Sequence, residues 1–489
     1  CDYGLEMQTG GTKDIKFHFK VNGTQAWPKN NVDMTQATNQ NLDPFGHTAV
    51  WLYSASAGDI IKPTIKGNDA GKNCQISAGA TLTVLKAEGN YGYAHVSTDS
   101  TSQSVSSATQ FLPFDSDNEN TTIVPGPMKN VSYTATNGYF TLDSSPSIPH
   151  GHALFLASSV WDASSADGSA VIKLFYGSNS VMTANDSING AFDSAGDAQV
   201  SANVSDMTFT THRSWDPGEI TLGALADFST AGHKLYFSLL PPTNQKILSF
   251  AGTSMLHFSV TNSNGSNPSA FLSMVVDALS TQITATGDTN VFDSDNWSGA
   301  TATTTGDFAH YCRPTGITLD ESAGTFTVSD GGIYFIMWNM NLSTGLSSER
   351  TLKIQKNGSS IIEKTWQINA SVDPQENSTI LLANLEPGDV LTFLVNAMGN
   401  GSAGAFLFEP HLTIFKIDDV GTHYLQYGSN ASQQIGDNHV INTQDIDNLS
   451  AQHDRASGQV PFSLGQEGPR NLRGRVTAYS PSIGGKTKK

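Results

Sequence analysis

Charge is scarce in this 489-residue chain: only 14% of residues are Asp, Glu, Lys or Arg. The charge present leans acidic, with 26 basic against 44 acidic residues and a formal net charge of −18. Such a body repels a phosphate backbone, which argues against nucleic acid as a partner. Cysteine is nearly absent. Cys1, Cys74 and Cys312 allow one pair at most, so no disulfide framework is expected. Long apolar runs are missing too; none approaches the ~18 residues of a membrane helix, and no membrane span is expected. Gly-x-Ser-x-Gly, His-Glu-x-x-His and the phosphate-binding Gly-x-x-x-x-Gly-Lys do not occur. The chain is therefore expected not to be an enzyme and to need no cofactor. A carboxylate pair assembled only in space leaves no such signature, so a β-sandwich hydrolase stays as a third reading.

With so few charges, the polar surface must come from Ser, Thr, Asn and Gly. The chain has 45 Gly and many β-branched residues, which favours short strands joined by tight turns. Ile15–Val21 alternates apolar and polar and runs into Asn22-Gly23, a half-buried strand reaching a hairpin turn. Short strand-like runs of this kind recur, among them Ala49–Tyr53, Ala80–Leu85, Gly138–Leu142, Ala153–Leu156, Val171–Tyr176, Lys234–Ser238 and Leu256–Val260. That spacing predicts sandwiches. The fold class is expected to be all-β, with serial β-sandwich and jelly-roll modules at 1–120, 121–280 and 281–420, then an extended polar tail over 421–489. Pro125-Gly126-Pro127 marks the first boundary. Two echoes suggest related modules: Gly-His at 46–47, 151–152 and 232–233, and Phe-Asp-Ser-Asp-Asn at 114–118 and 292–296.

The most informative stretch runs from Gly324 to Ile417. It carries Gly324-Thr325-Phe326, Gly332-Ile333-Tyr334-Phe335, Asn357-Gly358, Leu385-Glu386-Pro387-Gly388-Asp389 and a closing run Leu412–Ile417. In this order the stretch resembles the C1q/TNF-like jelly roll, over about 120 residues. The resemblance implies a β-sandwich that associates as a trimer. The long aromatic run Tyr334–Leu342 suits a strand packed on both faces or at a subunit contact. Tyr334, Phe335, Met337 and Trp338 are accordingly expected at an interface sealed by sister copies.

Other candidate chemistry is sparse. Asp115 and Asp117, and again Asp293 and Asp295, place carboxylates at alternate positions, which makes them candidates for a loop Ca²⁺. Neither frame has the Gly and Glu that an EF-hand loop requires. His150-Gly151-His152 would face both imidazoles one way on a strand, half of a metal site. The glycine-rich 399–404 stretch lies between β-runs, where no helix N-terminus meets a pyrophosphate. The last twenty residues carry Arg470, Arg473, Arg475, Lys486, Lys488 and Lys489 without an acid, an arm suited to the acidic body of a neighbour.

These features converge on a virion structural protein, a capsid, capsid-decorating or fibre-type subunit of a bacteriophage or other aquatic virus. It is expected to form a homotrimer and to contact other virion proteins and a host-surface receptor or glycan. The alternative is a bacterial surface or secreted glycan-binding adhesin, lipid-anchored at Cys1, with Trp51, Trp161 or Trp297 stacking on sugar rings.

Overall fold

The structure is a computed structural model. It describes residues 1–7, 13–28, 34–38, 45–67, 74–76, 79–87, 89–99, 103–105, 114, 123–143, 151–163, 168–177, 203–211, 218–228, 231–240, 247–249, 252–277, 281–283, 287–297, 307–343, 348–368, 375–398, 405–417, 424–428, 433–435 and 439–440. The fold is all-β, as the composition requires. Among the described residues the sole helical element is a 3-10 turn at Ser294–Trp297.

The C-terminal jelly roll shows how sequence makes the fold. Asn357 and Gly358 take φ of 50° and 78°, the left-handed pair that a two-residue hairpin needs. They join Ser348–Lys356 to Ser359–Ile368. At Glu386–Asp389, Pro387 sits where φ is fixed and Gly388 follows at φ 87°, a turn closed by Asp389 N–H donating to Glu386 O at 3.0 Å. One sheet orders its strands Gln375–Leu385, Gly332–Ser343, Ala405–Lys416, Phe271–Asp277 and Asp307–Thr315. The other runs Ser359–Ile368, Ser348–Lys356, Val390–Met398, Thr325–Val328 and Ile317–Asp320. Apart from hairpins such as Ser348–Lys356 with Ser359–Ile368 and Ile317–Asp320 with Thr325–Val328, most connections cross between the sheets, the double-sheet winding of a jelly roll. Phe292, Phe326, Trp338 and Phe393 meet between the sheets with centroids 5.3–6.4 Å apart, edge-on except for the tilted Phe292–Trp338 pair.

The central sandwich repeats this order. Gly218–Asp227, His152–Ala163, Ser254–Ser259, Tyr93–Thr98 and Ile123–Lys129 form one sheet. Asn203–Thr211, Gly168–Gly177, Lys234–Leu240, Tyr139–Leu142 and Val131–Thr134 form the other. Phe140 pairs with Leu235 as Phe326 pairs with Leu391. Phe114 and Phe292 are both buried, and they touch Phe237 and Phe393, the residues two further along those partner strands. The Phe-Asp-Ser-Asp-Asn echo therefore marks one core plug used twice. The Gly-His echo is not one feature used three times: Gly151 and Gly232 turn at φ 59° and 78° ahead of strands, whereas His47 lies within one.

The N-terminal sandwich is assembled from both ends of the chain. Its first sheet orders Phe45–Thr48, Asp2–Met7, then Cys74–Ile76 with Thr81–Leu85, and finally Tyr424–Gly428 with Gln433–Ile435. Its second sheet pairs Thr24–Trp27, Lys13–Val21, Ile61–Gly67 and His439–Val440. Sheet pairing thus moves the expected boundaries. Tyr93–Thr98 joins the central sandwich rather than the first, and Phe271–Asp277 joins the third. Tyr424–Gly428, Gln433–Ile435 and His439–Val440, expected as part of the extended polar tail, supply strands to the first module. Hydrogen bonding to distant strands decides this, and local composition carries no trace of it.

Candidate functional site

Side chains pointing out of the first-described sheet of each module meet those of the other modules. Leu154, Leu156, Leu225, Phe258 and Val260 from the centre pack with Ile333, Phe335, Met337, Leu382 and Phe415 from the C-terminal jelly roll. Val50, Leu52 and Leu85 of the N-terminal module close the same cluster. Equivalent strand positions recur in it. Leu85, Phe258 and Phe415 pair with Tyr424, Tyr93 and Phe271, respectively.

A ring of hydroxyl and amide groups continues the junction. Thr48, Thr221 and Ser378 occupy matching positions, opposite Asp2, Ser158 and Asn339. Ser158 Oγ donates to Thr48 O at 3.0 Å, and Asn339 Nδ2 donates to Thr221 O at 2.8 Å. These are the same contact, made one module further on. On the third side Thr81 Oγ1 donates to Ile380 O at 3.0 Å, and the Thr48 and Ser378 hydroxyls lie 2.6 Å apart. The three modules therefore surround a common pseudo-threefold axis. Each buried polar group is expected to need a partner, so the ring fixes how the modules are rotated as well as how closely they pack.

Tyr334, Phe335, Met337 and Trp338 all lie in this region, but their covering corrects the expectation of an interface between copies. Tyr334 and Trp338 point between the sheets of their own module, and Tyr334 Oη donates to Asp330 O at 2.8 Å. Phe335 and Met337 point to the axis, where the thioether end of Met337 lies against Gly223 and would have to shift to admit a Cβ. All four are at most 3% exposed within one chain. The run is sealed by sister modules of the same polypeptide. Lys364, which the sequence did not single out, is also fully buried, with Nζ donating to Ser378 O at 2.9 Å.

The Ca²⁺ candidates are less informative. Asp115 and Asp117 lie outside the described residues. Asp293 Oδ1 accepts the Asp295 N–H at 3.0 Å, capping the 3-10 turn. Among the described residues no three His, Cys, Asp or Glu side chains converge as metal ligands. His152 packs over Phe271 at 4.4 Å; His150 and 399–404 lie outside the described residues. No described helix is long and apolar enough to cross a membrane.

A cavity of about 190 Å³ opens at the junction on its N-terminal side. It is bounded by Ala49–Tyr53 and Leu82–Leu85, with Leu156, Phe258, Phe335 and Ile380 reaching it from the other modules. Phe19, Trp51 and Tyr53 form a stacked ladder along it, with centroids 5.4 and 4.8 Å apart. Tyr53, 36% exposed, is its outermost ring. Asp59 fixes the loop: it accepts the Ser56 N–H at 2.8 Å, the Asn22 amide at 2.8 Å and the Tyr53 hydroxyl at 3.2 Å. The Ser56 N–H, followed by the Asn22 amide, holds the Asp59 carboxyl below its ordinary pKa. Trp161 and Trp297 have no described side-chain environment.

No protein-family model matches the chain, and no curated protein matches it. Among solved structures, the TNF protein Eiger from S. frugiperda is similar at 12% identity and a TM-score of 0.21, covering 30% of this chain and 92% of its own. The PRD1 vertex protein P5 is similar at 18% identity and a TM-score of 0.21, covering 31% of this chain and 99% of its own. Likenesses at these values carry no argument about what this chain does.

Proposed function

We propose that this chain is a virion structural protein, a capsid, capsid-decorating or fibre-type subunit that is already a pseudo-trimer as a single molecule. The carrying observation is the common axis: three jelly rolls of one polypeptide bury their axial faces against one another with repeated contacts. Such a body suits a position of threefold character in a larger shell, and it reaches neighbouring copies and other virion proteins through its remaining surfaces. No reaction is assigned to it. Quantitative mass spectrometry of purified particles, with antibody labelling, tests the reading. A fixed stoichiometry on the particles is expected. Recovery of the chain only from cell envelopes or culture medium overturns it.

The exposed end of the aromatic ladder favours a second reading, glycan binding at Tyr53. Trp51 already stacks with two protein rings, which leaves Tyr53 as the platform. A glycan array in which Tyr53→Ala loses signal would support that reading.

A further inference from the structure

The three junctions around the axis share one design and differ at one point. Asp2, Ser158 and Asn339 hold matching places: Asp2 pairs with Thr48 and Thr81, Ser158 with Thr221 and Ser254, and Asn339 with Ser378 and His411. At two junctions the side chain in this place donates to a carbonyl of the next module, Ser158 to Thr48 O and Asn339 to Thr221 O. At the third junction the matching carbonyl is Ser378 O and the matching residue is Asp2. A carboxylate has no hydrogen to donate. The hydrogen comes from Lys364 instead, whose Nζ lies 2.9 Å from Ser378 O.

Lys364 also departs from its counterparts. Phe17 and Leu352 each stand five residues ahead of a left-handed Asn-Gly turn. Ile172 holds their place in the central module, because Leu174 and Ile354, two residues further on, pair with the matching Phe237 and Phe393. Across the ladder from Phe17, Ile172 and Leu352 lie Met34, Met207 and Lys364. Two modules thus carry a neutral thioether where the third carries an ammonium. Lys364 is fully buried, and no other lysine or arginine is buried among the described residues. It stands where the C-terminal module meets the N-terminal one. The strand Ser359–Ile368 lies against Asp2–Met7. Gly79, two residues before Thr81, comes so close that a Cβ there would meet Glu363 O at 2.6 Å and Lys364 Cα at 3.2 Å.

A buried ammonium needs a full negative charge beside it, which a carbonyl does not supply. The two departures therefore answer each other. We propose that Lys364 and Asp2 form an ion pair across the third junction, and that this pair fixes the order of the modules around the axis. The axial faces are built alike, so neutral contacts alone would let the N-terminal module close against the central one in the place of the C-terminal module. Asp2 would then lie opposite Thr221 O in a module that carries Met207, its charge unpaired, and Lys364 would be left without an acid. Unpaired buried charges cost more than the hydroxyl contacts return, so the wrong order is excluded. The pair belongs to the ring of modules itself and holds whether or not the chain enters a particle.

A double-mutant cycle on the full chain, read by thermal melting, tests the pair. Asp2→Asn and Lys364→Met should each lower the melting temperature, Lys364→Met by about 5 °C or more. Together they reproduce the chemistry of the junction between the C-terminal and central modules, an amide donor with a methionine, and should recover most of that loss. Glu376→Gln neutralises an acid two residues from Ser378 on the same strand; combined with Lys364→Met it should recover nothing. The ordering role has its own readout. After unfolding in urea and dilution, the unmodified chain should return as a monomer by light scattering. The chain carrying both Asp2→Asn and Lys364→Met, stable but without the charges, should return in part as larger species. Losses that simply add in the double variant, or a recovery given by Glu376→Gln, overturn the pair. Equal monomer recovery from the two chains overturns its role in ordering the modules.

Discussion

The C-terminal jelly roll and the N-terminal sandwich share one clamp but differ in how they are completed. In the C-terminal module Asn357 Nδ2 donates to Asp389 Oδ1 at 2.6 Å, Val390 N–H donates to Asn357 Oδ1 at 2.9 Å and Glu386 N–H donates to Asp389 Oδ2 at 2.8 Å. In the N-terminal module Asn22, Asp59, Ile60 and Ser56 make the same bonds at 2.8, 3.0 and 2.8 Å. Gly58 and Gly388 turn at φ 93° and 87°. Burial of the Asp389 carboxyl opposes its ionisation, but the Glu386 N–H, the Asn357 amide and Lys356 together hold its pKa below the ordinary value. The local designs are therefore equivalent. The difference is long-range: all described strands of the C-terminal module lie within residues 271–416, whereas the N-terminal one spans 1–85 and 424–440. The chain is wound as a ring of modules whose seam falls inside one module. The links Leu85 to Tyr93, Ser259 to Phe271 and Lys416 to Tyr424 are successive versions of one connection.

The strongest way to break this comparison is to truncate the chain after Ile417. The first sheet then loses Tyr424–Gly428 and Gln433–Ile435, and the second loses His439–Val440. The N-terminal module should lose its cooperative unfolding while the C-terminal one keeps its own. Hydrogen exchange at Thr81–Leu85 against Val390–Met398 reads the outcome; equal protection in both forms would refute the seam.

Trp338→Ala acts on the self-contained module. It empties space among Phe292 and Phe393 and should cost about 3–5 kcal/mol by denaturant unfolding. A cost below ~1 kcal/mol would mean that the core relaxes around the loss.

Acid should loosen the contact between the central module, which carries His95 on Tyr93–Thr98, and the Val50 segment of the N-terminal module. Burial pushes the His95 pKa down to about 4, and a hydrogen bond with the Val50 backbone offsets this only in part. The folded value lies below the ordinary 6.5, so the unfolded chain binds the proton first. The stability is fully present above pH 6.5 and is lost as pH falls toward 4, by up to about 3 kcal/mol. His95→Gln should flatten that slope in a melting series; an unchanged slope would show that another group carries it.

The smallest effect sharpens the clamp. A Cβ at Gly58 or Gly388 meets nothing within 4 Å, so either Gly→Ala change reports only the left-handed backbone, at about 1–2 kcal/mol. Equal costs at the two sites, measured by thermal melts, would confirm that the turns are equivalent. A much smaller cost at Gly58 would mean that the N-terminal turn relaxes.

Much of this was legible in the residues. Asn357-Gly358 and Pro387-Gly388-Asp389 announce their turns because few residues tolerate positive φ. The run at Tyr334 suited a strand packed on both faces or one at a subunit contact, since a strand buried on one face would alternate; both faces are covered within one chain. The repeated Phe of 114 and 292 pointed to related modules. The partner of the Tyr334 run was not legible, because apolar side chains look alike whether a sister copy or a sister module covers them. The hydroxyl ring was not legible either: Thr48, Ser158, Thr221 and Ser378 are ordinary residues in a chain rich in Ser and Thr. Lys364 gave no signal beyond one basic residue in a strand.

By itself, the sequence determined the all-β class, the turn chemistry and the jelly-roll order of its last third, because φ preferences and side-chain alternation act over a few residues. Only the tertiary structure decided that the axial faces are satisfied within one chain and that strands at Tyr424–Gly428, Gln433–Ile435 and His439–Val440 return to the first module. Those are matters of which distant edges pair. Backbone N–H and C=O groups are the same in every residue, so strand edges pair by geometry, and local sequence does not record the choice.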